Sequence, residues 1–303
     1  MLIRMPAFPR ARTAAGVVVV GSANADFATQ VERRPHAGET VMAVASDQHP
    51  GGKGANQAAA AARAGAAVWF VGAVGDDQLG RAQLDALRRV SVDVGHVLVT
   101  SAAPTGAAFI TVTPDGENTI VVALGANALL HPGEVLERLT AIPTPAVVLI
   151  QTEIPVPTID AVAGWCAVNG VRLVLNNGPY RHLAAATLRV ADPLVLNEHE
   201  ARELCADTTL PASTLAESSR LVSGARSVLV TLGSAGVQLC TEDASTHVPG
   251  VPVTHVVDTT GAGDTFVGTL AALLAAGADL EHAAQGATAA AAESVTWPGA
   301  RPA

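Results

Sequence analysis

Five short, largely apolar runs punctuate this chain, and they restrict its fold more than any other feature. Residues 17–20, 147–150, 173–175, 194–196 and 227–232 are rich in valine, leucine and isoleucine, and each is too short to be a helix of ordinary length. Lacking a polar side to turn toward water, such strands must be covered on both faces, as in a parallel sheet between two helical layers. Between them, 54–64, 79–90, 132–139, 157–169 and 216–224 have helix-forming composition with spacing near 3.6. The resulting β-α alternation predicts a doubly wound α/β sheet. Two regions break the rhythm. Residues 26–46 and 105–122 alternate like strands around turns at Ala37-Gly38 and Asp115-Gly116, the pattern of a small half-exposed antiparallel sheet. Following early strands of the main sheet, they suit a lid that closes a site to water, and equally a pair of surface hairpins without function.

The chain has 303 residues, of which 49% are hydrophobic, enough for a large core. Eighteen Lys plus Arg against 27 Asp plus Glu give a formal charge of −9, which argues against a nucleic-acid partner. Cys166, Cys205 and Cys240 are scattered, with neither disulfide nor zinc spacing, and a reducing cytoplasm suits them. His199, His247 and His255 likewise lack metal-ligand spacing. No apolar stretch is long enough to predict a membrane span. Residues 1–15 carry Arg4, Arg10 and Arg12 but no apolar signal core, and are read as a loose extension ahead of one domain over 16–303.

The chemistry concentrates in Gly-rich segments. In Asp258-Thr259-Thr260-Gly261-Ala262-Gly263-Asp264-Thr265-Phe266, glycines precede an acid that opens a long apolar run. If the run is a helix, its first N–H groups and its dipole favour a phosphoryl group, with Asp264 beside it as proton acceptor. An ordinary junction with Asp264 as N-cap would use the same residues. Gly51-Gly52-Lys53-Gly54-Ala55-Asn56-Gln57-Ala58 also opens an apolar helix, and its backbone invites close approach by a ligand or forms a plain Gly-rich turn. It is not a P-loop, because the residue after Lys53 is glycine. Asn24 and Asp26 follow the first strand, Glu153 follows the strand at 147–150, and Asn197-x-x-Glu200 follows 194–196. Ligands bind at such carboxyl ends in open α/β sheets. The short polar groups there suit vicinal hydroxyls or hydrated magnesium, and also simple turns and caps. Thr231-Leu232-Gly233-Ser234-Ala235-Gly236 makes a further turn at a strand end. No nucleophile elbow is present, so direct in-line transfer is favoured over a covalent route.

Taken together, from about Val17 to Arg301, these segments resemble the ribokinase-like (PfkB) carbohydrate kinases, the Gly51–Gln57 and Asp258–Phe266 motifs occurring in the family's order. The resemblance implies a three-layer α/β/α core with a mostly parallel central sheet and a small β lid over about 26–46 and 105–122. It implies ATP-dependent phosphorylation of a pentose at its primary hydroxyl, with D-ribose at the 5-hydroxyl preferred and 2-deoxyribose, nucleosides such as adenosine or pseudouridine, or silent sugar binding as alternatives. By similarity Asn24, Asp26, Gly52, Lys53, Asn56 and Glu153 would hold the sugar and Asp264 would act as base. Gly261, Ala262 and Gly263 would form the anion hole. Asn197 and Glu200 would lie near Mg2+ and phosphate, with Asn197, Thr231, Gly233 and Gly236 on the ATP side. A K+ site would fall at Asp258, Thr260, Ser294, Trp297 and Gly299, although Ala303 replaces the usual serine and Trp297-Pro298 replaces a basic pair. Asn176-Asn177-Gly178-Pro179 also departs from the usual Asn-Pro-Ala-Pro. Relatives of this kind pair through their lids, so a homodimer is expected.

Overall fold

A computed structural model describes residues 16–115 and 117–301. The predicted extension at 1–15, Gly116 of the predicted turn, and Ala303 lie outside the described residues. In chain order the strands are β1 Val17–Val20, β2 Asn24–Gln30, β3 Ala45–Gly51, β4 Val68–Val71, β5 Ala73–Gly75, β6 Val92–Asp93, β7 Leu98–Thr100, β8 Gly106–Val112, β9 Asn118–Ala123, β10 Val147–Gln151, β11 Arg172–Asn176, β12 Ala191–Asn197, β13 Val228–Thr231, β14 Gly236–Cys240 and β15 Ser245–Pro249. The helices are α1 Lys53–Arg63, α2 Gln78–Arg89, α3 Pro132–Ala141, α4 Val156–Asn169, α5 Ala185–Leu188, α6 Glu198–Cys205, α7 Leu215–Ser223, α8 Ala262–Ala275 and α9 Leu280–Ser294.

Nine strands form the central sheet in the order β15-β14-β13-β12-β11-β10-β1-β4-β6. Every pairing from β6 to β13 is parallel, and only β14 runs against its neighbours. The all-apolar runs are explained by what each face meets. Val18, Val20, Val148 and Ile150 pack with Val135, Leu139, Ile159 and Val162 of α3 and α4. Val17, Val19 and Leu149 pack on the other face with α1, α8 and α9, through Ala55, Ala58, Phe266, Leu270 and Ala284. Alternate side chains thus enter two separate cores, giving the expected three layers.

Small residues let α1 and α8 approach closely. A Cβ on Gly268 would lie 2.3 Å from the Gln57 carbonyl, and one on Gly54 would lie 2.6 Å from the Gly21 carbonyl carbon. Both helices therefore begin at the carboxyl edge of the sheet, beside the ends of β1, β10, β11 and β12.

The two irregular regions meet in a second sheet of order β3-β2-β8-β9. The antiparallel expectation holds within each arm, between β2 and β3 and between β8 and β9. It fails at the seam, where β2 and β8 pair in parallel from Asn24↔Gly106 to Gln30↔Val112. Both arms leave the same edge of the core, so their outgoing strands run in one direction and lie side by side. The first arm also extends beyond residue 46, since β3 continues to Gly51 and leads directly into α1.

Candidate active site

Asp264 lies in the first turn of α8, capped by Gly261 in the left-handed region at φ 77°. A Cβ on Gly261 would sit 2.6 Å from Ala300, so conformation and space both call for glycine there. The Ala262 amide reaches the Thr259 carbonyl at 3.2 Å and the Thr265 amide reaches Gly261 at 2.8 Å. Between them, the Gly263 and Asp264 amides donate to no backbone carbonyl of the described residues, as is usual in the first turn of a helix. Asp264 is not an N-cap. Its buried carboxylate accepts instead from Asn56 Nδ2 at 3.0 Å and Gln57 Nε2 at 2.9 Å, across the α1–α8 contact.

The other expected sugar-side residues gather around this acid. Gly52 caps α1 at φ 86°, in contact with the Asn24 backbone, where a Cβ would come within 2.7 Å of its nitrogen. Glu153 Oε2 accepts from Ser22 Oγ at 2.5 Å and from the Lys53 amide at 3.1 Å, tying the ends of β1 and β10 to the start of α1. Asn24 Oδ1 accepts from Asn127 Nδ2 at 2.8 Å. Asp26 packs against Gly51, and its Oδ1 is buried without a hydrogen-bond partner among the described residues. Burial first, then the Glu153 and Asp264 charges, push the Asp26 carboxyl up to about 7 against the opposing pull of Arg301 and Lys53. The Lys53 ammonium is shifted upward, most by Asp264, with Glu153, Glu200 and Asp26 adding to it against burial. An acidic cleft with one lysine and one arginine is the outcome.

At the end of β12, where the ATP side is expected, Asn197 and Glu200 form a reciprocal capping box at α6. Asn197 Oδ1 accepts from the Glu200 amide at 2.9 Å and Glu200 Oε2 from the Asn197 amide at 2.8 Å. The capping alternative is thus realised, yet among the described residues Glu200 Oε1 takes no hydrogen bond, leaving it an open acceptor beside Gly178. Burial raises the Glu200 carboxyl above its ordinary value, opposed by the Asn197 amide and Lys53. Thr231 lies opposite Asn197 in the β12–β13 ladder. Gly233 and Gly236 have φ of 57° and 101°, and a Cβ on Gly236 would meet the Val248 carbonyl at 2.1 Å, so these two glycines shape the turn from β13 to β14.

Asp258 joins two loops: its Oδ1 accepts from the Thr260 amide at 2.8 Å and its Oδ2 from the Gly299 amide at 2.9 Å. Burial would raise this carboxyl, but those hydrogen bonds outweigh it and hold it below its usual value. The expected cation residues Asp258, Thr260 and Gly299 are therefore adjacent, with Ser294 and Trp297 following at the end of α9, where the Trp297 amide reaches the Ser294 carbonyl at 3.4 Å. Among the described residues no cluster of three His, Cys, Asp or Glu forms a metal site.

Several contributors escaped sequence analysis. Asn127, fully buried in the turn at Gly125–Leu129, grips residues 23 and 24: its Oδ1 accepts from the Ala23 amide at 3.0 Å, and its Nδ2 donates to the Ala23 carbonyl at 3.3 Å and to Asn24 Oδ1 at 2.8 Å. Gln57, Gln151 and Asn176 form an amide chain beneath Asp264: Gln151 Nε2 donates to Gln57 Oε1 at 2.7 Å, and Gln57 Nε2 to Asn176 Oδ1 at 2.9 Å. A glutamine inside an alanine-rich helix, and another ending a Val-Val-Leu-Ile strand, were the available signals. Arg301 donates to Asn56 Oδ1 at 2.7 Å and to the Gly51 carbonyl at 3.1 Å, and nothing local in the sequence marks it.

The pfkB family carbohydrate kinase model matches residues 14–303. A ribokinase of Bacillus subtilis (strain 168) is 40% identical over 285 residues, covering 94% of each chain. One of Staphylococcus aureus (strain COL) is 36% identical over 261 residues, covering 85% of this chain and 86% of the relative. The structure of Arabidopsis thaliana ribokinase complexed with ribose and ATP superposes with a TM-score of 0.86 at 34% identity, covering 95% of both chains.

Proposed function

Because the chain belongs to the pfkB family of carbohydrate kinases, enzymes that phosphorylate small sugar or nucleoside substrates with ATP, we propose that it transfers the γ-phosphoryl group to the 5-hydroxyl of D-ribose. The observation that carries this reading is the placement of the Asp264 carboxylate. It lies beside the open amides of the first turn of α8 and is held by Asn56 and Gln57, with Asn24, Asp26, Lys53 and Glu153 around the same cleft. In the proposed step the sugar hydroxyl gives its proton to Asp264 as its oxygen bonds to the γ-phosphorus, and the bond to the ADP bridging oxygen breaks. Negative charge developing on the phosphoryl oxygens would meet the anion hole at Gly261, Ala262 and Gly263, where the Gly263 amide and the adjoining Asp264 amide are unbonded while the Ala262 amide is shared with the Thr259 carbonyl, and Lys53 adds a positive charge nearby. Positioning and charge neutralisation supply the rate.

Glu200 fits Mg2+ through its free Oε1 and Asn197 stands beside it; the ion, when bound with ATP, would neutralise phosphate charge. Thr231, Gly233 and Gly236 border the ATP side. Asp258 bridges Thr260 and Gly299, and these residues with Ser294 and Trp297 would hold K+, which would add positive charge beside the anion hole. The second sheet, in this reading, closes over the cleft as a lid of the domain at 16–303.

Ribose is favoured over 2-deoxyribose because Asn24 and the partnerless Asp26 Oδ1 await vicinal hydroxyls. It is favoured over a nucleoside because the aromatic pair of the lid, Phe27 and Phe109, stacks at 5.5 Å on the strand face opposite Asp26. No aromatic shelf for a base therefore faces the cleft from β2 or β8. ADP release measured across ribose, 2-deoxyribose, fructose, adenosine and pseudouridine tests the assignment. Ribose should show the highest kcat/KM; a preference for adenosine would transfer it to nucleosides, and sugar binding without turnover would mark a silent protein.

A further inference from the structure

The guanidinium of Arg301 sits in a socket of oxygens contributed by three elements. Its Nε donates to Asn56 Oδ1 at 2.7 Å, one terminal nitrogen donates to the Gly51 carbonyl at 3.1 Å, and the other faces Gln83 Oε1 at 3.5 Å. The socket is itself braced, because Gln83 Nε2 also donates to the Gly51 carbonyl, at 2.6 Å. Burial lowers the guanidinium to about 10, against the opposing charges of Asp26 and Asp264, so it remains a cation at neutral pH.

The consequence for Asn56 is geometric. A side-chain amide has one accepting and one donating end. With Arg301 Nε occupying the accepting end, Nδ2 is turned toward Asp264 Oδ2 at 3.0 Å. Without that donor the accepting end of the amide loses its partner, and the contact to Asp264 alone is left to set its position. Gln57 needs no such help, since its own oxygen is already held by Gln151. Arg301 also lies two residues beyond Gly299, whose amide is bound to Asp258. One side chain therefore joins the final loop, the root of the second sheet at Gly51 and the amide that holds the acid.

We propose that Arg301 is a positioning residue for phosphoryl transfer, acting through Asn56 on the orientation of Asp264. It neither touches the transferring group nor takes a proton. The inference rests on Asp264 being the proton acceptor, and the experiment separates the two. Measure kcat and KM for ribose and ATP in the parent protein and in Asp264→Asn, Arg301→Ala, Arg301→Lys, Asn56→Ala and the Arg301→Ala/Asn56→Ala pair, each checked for an unchanged folded spectrum at the assay temperature. Arg301→Ala is expected to lower kcat by about tenfold or more, a partial loss of the ~10²-fold that small misplacement can cost. Its KM for ATP should move far less. Arg301→Lys, which keeps the charge but not the planar fork, should recover only part of the loss. In the Asn56→Ala background the Arg301→Ala change should have little further effect, because the residue through which it acts is gone. Added guanidinium ion should restore turnover to Arg301→Ala and leave the paired variant unchanged. Multiplicative losses in the pair, or unchanged kcat in a folded Arg301→Ala, overturn the inference while leaving the base assignment intact. Near-parent turnover by Asp264→Asn would instead remove the base assignment.

Discussion

Both oxygens of Asp264 accept hydrogen bonds from side-chain amides, which fix the carboxylate without neutralising it. Asp264→Asn replaces one acceptor oxygen by a donor facing Asn56 or Gln57 and removes the base. A kcat loss of at least about 10²-fold is expected, with ribose affinity changed far less, as equilibrium binding alongside steady-state rates would reveal. Asp26 offers a test independent of turnover. Its folded value near 7 lies above the ordinary 3.8, so between these values the folded protein keeps a proton that the unfolded chain has released. Stability from this site is present at low pH and is lost as pH rises toward 7. Asp26→Asn should therefore raise Tm at pH 8 relative to the parent, with the gain shrinking toward pH 4; an equal effect at both pH values would contradict the burial argument. The glycines and acids were legible in the sequence because their types are unusual at strand ends and helix starts. Asn127, Gln57 and Arg301 were not, since their roles arise from partners 104, 207 and 245 residues away.

At the scale of elements, the site depends on how closely α1 and α8 approach. Gly268 faces the Gln57 carbonyl at 2.3 Å and the Ala60 Cβ at 2.7 Å from where its own Cβ would be, and backbone cannot retreat cheaply. Gly268→Val should destabilise the fold by about 1–3 kcal/mol. It should also lower kcat by lengthening the Asn56 and Gln57 contacts to Asp264. Chemical denaturation paired with kinetics checks this, and a variant of parental stability with parental turnover would show the two helices to be less tightly matched. Five strands of the central sheet, β1, β10, β11, β12 and β13, were readable in advance because each carries a short apolar run with no polar face, a demand that double coverage satisfies; β4, β6, β14 and β15 were not read in advance. The seam between β2 and β8 was not, because alternation within a segment carries no information about which segment lies beside it or in which direction.

Over the whole molecule, the second sheet stands out from the core with β9 exposed along its length, including Ile120, Val121 and Val122, and with Phe109 half-exposed. Such surface, next to sheet edges at β3 and β9 that no described strand covers, supports the expectation that two copies pair through these sheets. Val121→Glu should then shift the solution mass from dimer to monomer, measured by sedimentation or light scattering, with the core unperturbed; a parent protein already monomeric at assay concentration would refute the pairing. The layered α/β core, the kinase motifs and their order were set by the chain itself, because burial pattern, helix starts and tight turns are local consequences of residue type. The orientation of the acid, the elevated Asp26 carboxyl, the parallel seam and the insertion of Arg301 beside Asn56 were decided only on folding. Each depends on distances between groups remote in the chain, and electrostatic and hydrogen-bond energies follow distance in space, which sequence separation does not encode.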